Sequence, residues 1–174
     1  AFDPARAARV TVVAEKPREF LGPKFLRQVI RERRGVAVFV PTRAEVEGIA
    51  EEIGARWSAL STAFYHGGEP IRVIRPFLDG SARKPFLLAM TAAGQSALNI
   101  RGLDTVVILD ARYTNVVRGG RNVLTRLPLG GNEILQMAGR VHGRVEGGQV
   151  TILSERAIEF AALRPGPPEF QLAG

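Results

Sequence analysis

The residues best suited to chemistry are the two arginines of Gln136-Met137-Ala138-Gly139-Arg140-Val141-His142-Gly143-Arg144. A guanidinium is planar, always charged and able to pair with two phosphate oxygens at once. The same residues would also suit a basic helix end whose arginines face solvent. A second set is Thr91-Ala92-Ala93-Gly94. Thr91 brings a hydroxyl and neighbouring N–H groups, which are natural phosphate donors, and the small residues let another backbone come close. An ordinary strand-to-helix turn would read the same way. His66, in Tyr65-His66-Gly67-Gly68, has no nucleophile or carboxylate partner apparent nearby. Its loop is expected to touch a backbone or to be structural, not to hold a catalytic base.

These residues need elements to hold them, and the chain alternates strand and helix signals. Arg9 to Ala14 alternates and is β-branched, which predicts a strand. Pro17 and Gly22-Pro23 interrupt the chain after it. From Lys24 to Arg34, Phe25, Leu26, Val29 and Ile30 recur at helical spacing, and Gly35 is expected to end that helix in the left-handed position beyond its last turn. Val36 to Val40 is a continuous apolar run, as in a parallel strand covered on both faces. Thr42 is predicted to cap a helix from about Arg43 to Gly54. A short strand is predicted at Thr62 to Tyr65, then a helix that begins with Pro70 in its first turn and ends near Asp79-Gly80. Pro85 to Met90, Thr105 to Leu109 and Gln149 to Leu153 are further strands. The fold class is therefore α/β, a parallel sheet with helices on both faces. Ligands in such sheets sit beyond the carboxyl ends of the strands, which selects the loops 41–43, 66–69, 91–99 and 110–114. The stretch 113–127 is predicted to be a β-hairpin turning at Gly119-Gly120, with Arg118 and Arg121 at its tip. Residues 1–163 form one domain, and the proline-containing stretch 164–174 is an irregular tail or linker.

Lys and Arg total 24 against 17 Asp and Glu, a formal charge of +7. That balance favours a polyanionic partner, although compositional bias would produce it too. Hydrophobic residues make up 45% of the chain, too many for a disordered tail. There is no cysteine, so disulfides and thiolate metal sites are excluded, and a reducing compartment fits. No metal site is expected. No apolar run is long enough to span a membrane and no signal-peptide pattern is present, so the expected location is intracellular, in the cytoplasm.

In order and spacing these segments resemble the second RecA-like lobe of superfamily-two helicases. Gln136 to Arg144 is similar to motif VI. Thr91 to Ile100, followed by a strand ending at Asp110, is similar to motif V. Val36 to Arg43 looks like motif IV. The stretch 110–136, with its hairpin and Leu127-Pro128-Leu129, most resembles DEAH-type and flavivirus-type helicases. The resemblance covers about residues 36–153 and implies specific roles. Arg140 and Arg144 would be arginine fingers on the γ-phosphate of a nucleotide, with Gln136 beside them. Ala97 and Asn99 would face that nucleotide. Pro41, Thr42, Arg43, His66, Gly67 and Thr91, with Arg118 and Arg121 of the hairpin, would meet the nucleic-acid backbone. There are two departures: three residues stand between Arg140 and Arg144 where the family has two, and Met137 stands where arginine is usual.

No Gly-x-x-x-x-Gly-Lys-[Ser/Thr] and no Asp-Glu-x-[Asp/His] box occurs, so nothing here would cradle ATP phosphates or their Mg²⁺. The expectation is half of an ATP-dependent RNA or DNA helicase or translocase, with ATP and Mg²⁺ held mainly by an N-terminal lobe of the same protein and with no activity in isolation. The alternative is a non-enzymatic nucleic-acid-binding or protein-docking module on the same fold. An unrelated small-molecule α/β domain is disfavoured, because no Gly-x-Gly-x-x-Gly follows a strand.

Overall fold

The computed structural model describes residues 2–92 and 98–164. Its frame is a six-stranded, wholly parallel sheet in the order β1-β8-β5-β2-β4-β3. The strands are β1 (Arg9–Val13), β2 (Gly35–Phe39), β3 (Ser61–Tyr65), β4 (Phe86–Met90), β5 (Thr105–Leu109) and β8 (Gln149–Leu153). The helices are α1 (Pro17–Phe20), α2 (Pro23–Glu32), α3 (Arg43–Arg56), α4 (Arg75–Asp79) and α5 (Gly131–Ala138). A separate antiparallel hairpin joins β6 (Arg112–Arg118) to β7 (Arg121–Leu127).

The uninterrupted apolar runs of β2, β4 and β5 are buried along their whole length because both faces of the sheet are covered. Alternate residues feed two cores. Phe86, Leu88 and Met90 pack with Phe77 of α4 and Ile134 and Met137 of α5. Leu87 and Ala89 pack with Leu26 and Val29 of α2 and Val46, Ile49 and Ile53 of α3. The period of two in each strand is what allows one strand to serve both layers.

Several local expectations hold. Thr42 accepts the Glu45 N–H at 3.2 Å and caps α3. The hairpin turns at Gly119 and Gly120, both with positive φ, as a two-residue turn matched to strand twist requires. Others are corrected. The left-handed residue that closes α2 is Arg33, at φ 54°, and Gly35 is the first residue of β2. Glycine is needed at 35 for space: a Cβ there would lie 2.5 Å from the Gly102 carbonyl oxygen and 2.6 Å from the Phe86 ring. The helix expected from Pro70 is divided into a 3-10 turn, Ile71–Val73, and the short α4. Pro76 lacks an N–H, so one regular helix could not run through it fully bonded. Helix α3 runs two residues past Gly54, to Arg56.

Candidate functional site

The carboxyl ends of β2, β4 and β5 open into a pocket of about 320 Å³. Pro41 and Arg43 come to it from the β2 loop, His66 from the β3 loop, and Thr91 and Ala92 from the β4 loop. Tyr113 and Arg112 come from the start of the hairpin, and Glu133 and Met137 from α5. The parallel sheet explains this convergence, because every strand delivers its following loop to the same edge.

The hydroxyls in this region are already engaged. Thr42 Oγ1 donates to Glu45 Oε1 at 2.7 Å, so its side chain acts as the cap. Thr91 Oγ1 donates to the His66 carbonyl at 3.4 Å, and the Thr91 N–H donates to the Tyr65 carbonyl at 3.3 Å. Thr91 thereby ties the β4 loop to the β3 loop. The cations are balanced as well. Arg43 lies 3.3 Å from Glu47, and Arg112 lies 3.6 Å from Glu133 while donating to the Pro128 carbonyl at 3.3 Å.

His66 corrects the sequence reading, because carboxylates do stand beside it. Its Nδ1 is 3.2 Å from Glu69 and its Nε2 is 3.6 Å from Glu47. The Glu69 carboxylate also accepts the His66 backbone N–H at 3.0 Å. Glu69 is three residues along a tight loop, and Glu47 belongs to α3, a layer that the local sequence does not connect to His66. With the ring 6.0 Å from Phe64 and nearly parallel to it, His66 links the loop to β3 and α3.

The second locus lies past the C-terminal end of α5. Glu133 and Met137, four residues apart on α5, face the pocket, while Arg140 stands in the turn beyond the helix. Met137 is buried, so the residue that replaces the family's arginine is part of the core. Gln136 is exposed. Arg140 Nη1 donates to the carbonyl of Leu98. Arg140 is half-buried, and its pKa is lowered first by burial and then by the charge of Arg144. Arg140 therefore feels the charge of Arg144 in spite of the additional residue between them. Arg144 is exposed. Asn99 is exposed in the segment that follows Leu98, whereas Ala97 lies outside the described residues. Arg118 and Arg121 pair across the hairpin tip, and neither lines the pocket.

A model of the helicase conserved C-terminal domain family matches residues 22–144. The chain belongs to this family. Among solved structures this helicase C-terminal domain is similar to the Escherichia coli DExH-box NTPase HrpB, with a TM-score of 0.69 and 17% identity over 93% of this chain and 21% of that one. A second Escherichia coli structure, described as the DEAH/RHA helicase HrpB, gives a TM-score of 0.71 and 17% identity over 94% of this chain and 22% of that one. The helicase domain thus spans about a fifth of the length of these neighbours, and the likeness is one of fold: a RecA-like α/β lobe that carries a hairpin. No curated protein sequence matches the chain significantly.

Sequence reasoning missed a cluster that anchors the hairpin of this helicase lobe. Asp110, at the end of β5, has a side chain only 3% exposed. It accepts from Arg156 Nε at 2.6 Å and Nη2 at 3.2 Å, from Ser154 Oγ at 2.8 Å and from the Leu129 N–H at 2.9 Å. Burial alone would raise its pKa, but these donors, Arg156 first, outweigh burial and hold it below the usual range. Arg156 also donates to the Leu129 carbonyl at 2.9 Å. The hairpin is thus clamped at its base and exposed beyond it. The only sequence signal was an Asp at a strand end. A larger cleft of about 870 Å³ beside this clamp is lined by mixed charges, among them Lys16, Glu19, Glu45 and Arg126. No residue singled out as a ligand contact reaches it.

Among the described residues, no group of three or more His, Asp or Glu side chains is placed to hold a metal ion. The donor set of the α5 turn suits phosphate oxygens, and Mg²⁺ would need carboxylates from elsewhere. No helix of the described residues is long and apolar enough to cross a membrane.

Proposed function

We propose that this chain is the second motor lobe of an ATP-dependent RNA or DNA helicase or translocase. The observation that carries this reading is the meeting of the α5 turn with the segment after β4, through the Arg140 guanidinium and the Leu98 carbonyl. A partner lobe bearing a phosphate-binding loop would hold ATP and Mg²⁺. Closure of the two lobes would bring Arg140 and Arg144 to the γ-phosphate, where a guanidinium stabilises charge spreading over the equatorial oxygens. Gln136 and Asn99 would line the nucleotide side of the cleft, and residues 1–163 act as one unit.

The pocket at the strand ends would receive the nucleic-acid backbone. Pro41, Thr42, Arg43, His66, Gly67 and Thr91 provide the loops, and Arg118 and Arg121 extend the contact along the hairpin. Because the two threonine hydroxyls have internal acceptors, backbone N–H groups and Arg43 are the donors expected to meet phosphate. The segment after β4 reaches Thr91 at one end and Arg140 at the other, which gives the two ligands a physical route of coupling.

The test is reconstitution. This chain alone should hydrolyse no ATP, and joined to a lobe that carries the phosphate loop it should show hydrolysis stimulated by nucleic acid. In that joined protein, Arg144→Ala should slow turnover by about 10³–10⁵-fold. Full turnover in Arg144→Ala would remove the finger assignment. Nucleic-acid binding without any stimulated hydrolysis would instead select the non-enzymatic binding module.

A further inference from the structure

The residue that makes the spacing of Arg140 and Arg144 unusual is not accommodated by a loose bulge. The turn after α5 is tightly bonded: the His142 N–H donates to the Ala138 carbonyl at 2.8 Å, and the Arg144 N–H donates to the Val141 carbonyl at 3.1 Å. The chain then reverses at Gly143, with φ +77°. This geometry turns the His142 side chain inward, where Phe2 and Phe160 flank it at ring-centroid distances of 4.8 and 5.1 Å. His142 Nδ1 accepts the Ala8 N–H at 2.9 Å.

Residues 2–8 run along this turn as a strap. The Asp3 N–H donates to the Gly143 carbonyl at 2.8 Å, and the Gly143 N–H donates to the Arg6 carbonyl at 2.9 Å. Arg6 Nη1 donates to the Arg144 carbonyl at 3.2 Å. A Cβ at Gly143 would collide with the Phe2 ring, so glycine there serves the close approach of the strap as well as the backbone angle. Three backbone-directed bonds and one ring-directed bond therefore join two segments more than 130 residues apart in sequence.

We propose that His142 is a positioning residue for the arginine turn: through Ala8, Phe2 and Phe160 it fastens the turn to the strap 2–8 and fixes where Arg140 and Arg144 point. Burial lowers the His142 pKa, which keeps Nδ1 an acceptor near neutral pH. The strap leads directly into β1, so any displacement of the chain before β1 is passed to the turn. This proposal rests on the finger reading of Arg140 and Arg144 only for its effect on catalysis. The docking itself stands apart from that reading.

The experiment uses three variants. His142→Asn keeps an acceptor near the Nδ1 position, His142→Phe keeps a ring but leaves the Ala8 N–H without its acceptor, and Phe2→Ala removes an exposed ring from the strap. In the 174-residue chain, amide exchange is followed at Ala8 and Gly143. Exchange at both should accelerate together, by roughly tenfold, in His142→Phe and Phe2→Ala, and by less in His142→Asn, which keeps the acceptor and loses only the ring contacts. In the protein joined to a phosphate-binding lobe, His142→Phe should lower kcat by about ten- to a hundredfold with little change in nucleic-acid affinity, and His142→Asn should recover most of it. Unchanged exchange at Ala8 and Gly143 in both His142→Phe and Phe2→Ala would overturn the docking. Full kcat in His142→Phe, where Arg144→Ala is inactive, would overturn the positioning role. Full kcat in Arg144→Ala itself would overturn the finger reading and with it the catalytic half of this proposal, while coupled exchange would still support the docking.

Discussion

The Arg140 guanidinium donates to the carbonyl of Leu98, so the turn after α5 is tied to the backbone that follows β4. This bond holds the half-buried Arg140 side chain, and burial and the charge of Arg144 both lower its pKa. A forked, planar donor can hold a carbonyl with one nitrogen and present others outward, which a lysine ammonium on a flexible stem does poorly. In the protein joined to its nucleotide-holding lobe, Arg140→Lys should therefore reduce kcat by about 10²-fold although charge is conserved. Steady-state hydrolysis measures this, and wild-type kcat in the lysine variant would reduce Arg140 to a generic positive charge.

Thr42 is a cap before it is anything else. Its hydroxyl accepts the Glu45 N–H and donates to the Glu45 carboxylate. Thr42→Ala should cost about 1 kcal/mol of stability, and Thr42→Asn should restore most of it. Urea unfolding of the 174-residue chain reads both. Equal stability in all three proteins would mean that the cap contributes nothing to α3.

Asp110 links acid stability to the hairpin. Its folded pKa lies below the ordinary value of 3.8. The unfolded chain therefore binds its proton first as pH falls. The stability that this carboxylate contributes is fully present above about pH 3.8 and is lost as pH drops through the lower folded value. Asp110→Asn should destabilise the chain at neutral pH by roughly 2–3 kcal/mol, a figure held down because Arg156 is half exposed to screening solvent. It should also flatten the acid limb of the stability curve. The comparison is a pair of urea titrations across pH, and identical acid limbs in the two proteins would contradict the assignment.

Gly35 is fixed by space. A methyl group there would meet the Gly102 carbonyl oxygen, which belongs to backbone and cannot swing away. Gly35→Ala should cost about 1–3 kcal/mol. If a thermal melt showed the alanine variant to be as stable as wild type, the start of β2 and Gly102 would not be in tight contact.

Much of this protein was determined by its sequence alone, wherever the deciding interactions are local. The apolar runs Val36–Val40, Phe86–Met90 and Thr105–Leu109 are long and unbroken enough to demand a strand covered on both faces. Thr42 is one residue from the helix it caps, and Gly119-Gly120 supplies both positive φ angles from adjacent positions. The two arginines, four residues apart, carry their own chemistry.

Tertiary structure decided what those local signals leave open. Space between β2 and Gly102, not helix capping, is what requires glycine at 35, and Arg33 took the left-handed position instead. The turn that carries the extra residue between Arg140 and Arg144 packs through His142 on Phe2, Ala8 and Phe160, none of them within ten residues. Asp110 and Arg156 pair across 46 residues because β5 and β8 are neighbours in the sheet and end at the same edge. His66 acquired Glu47 from α3 in the same way. The physical reason is common to all four: packing and ion pairing depend on distance in space, and that distance is set only once the parallel sheet has brought remote segments together, at its amino end for Gly35 and Ala8 and at its carboxyl end for Asp110 and His66.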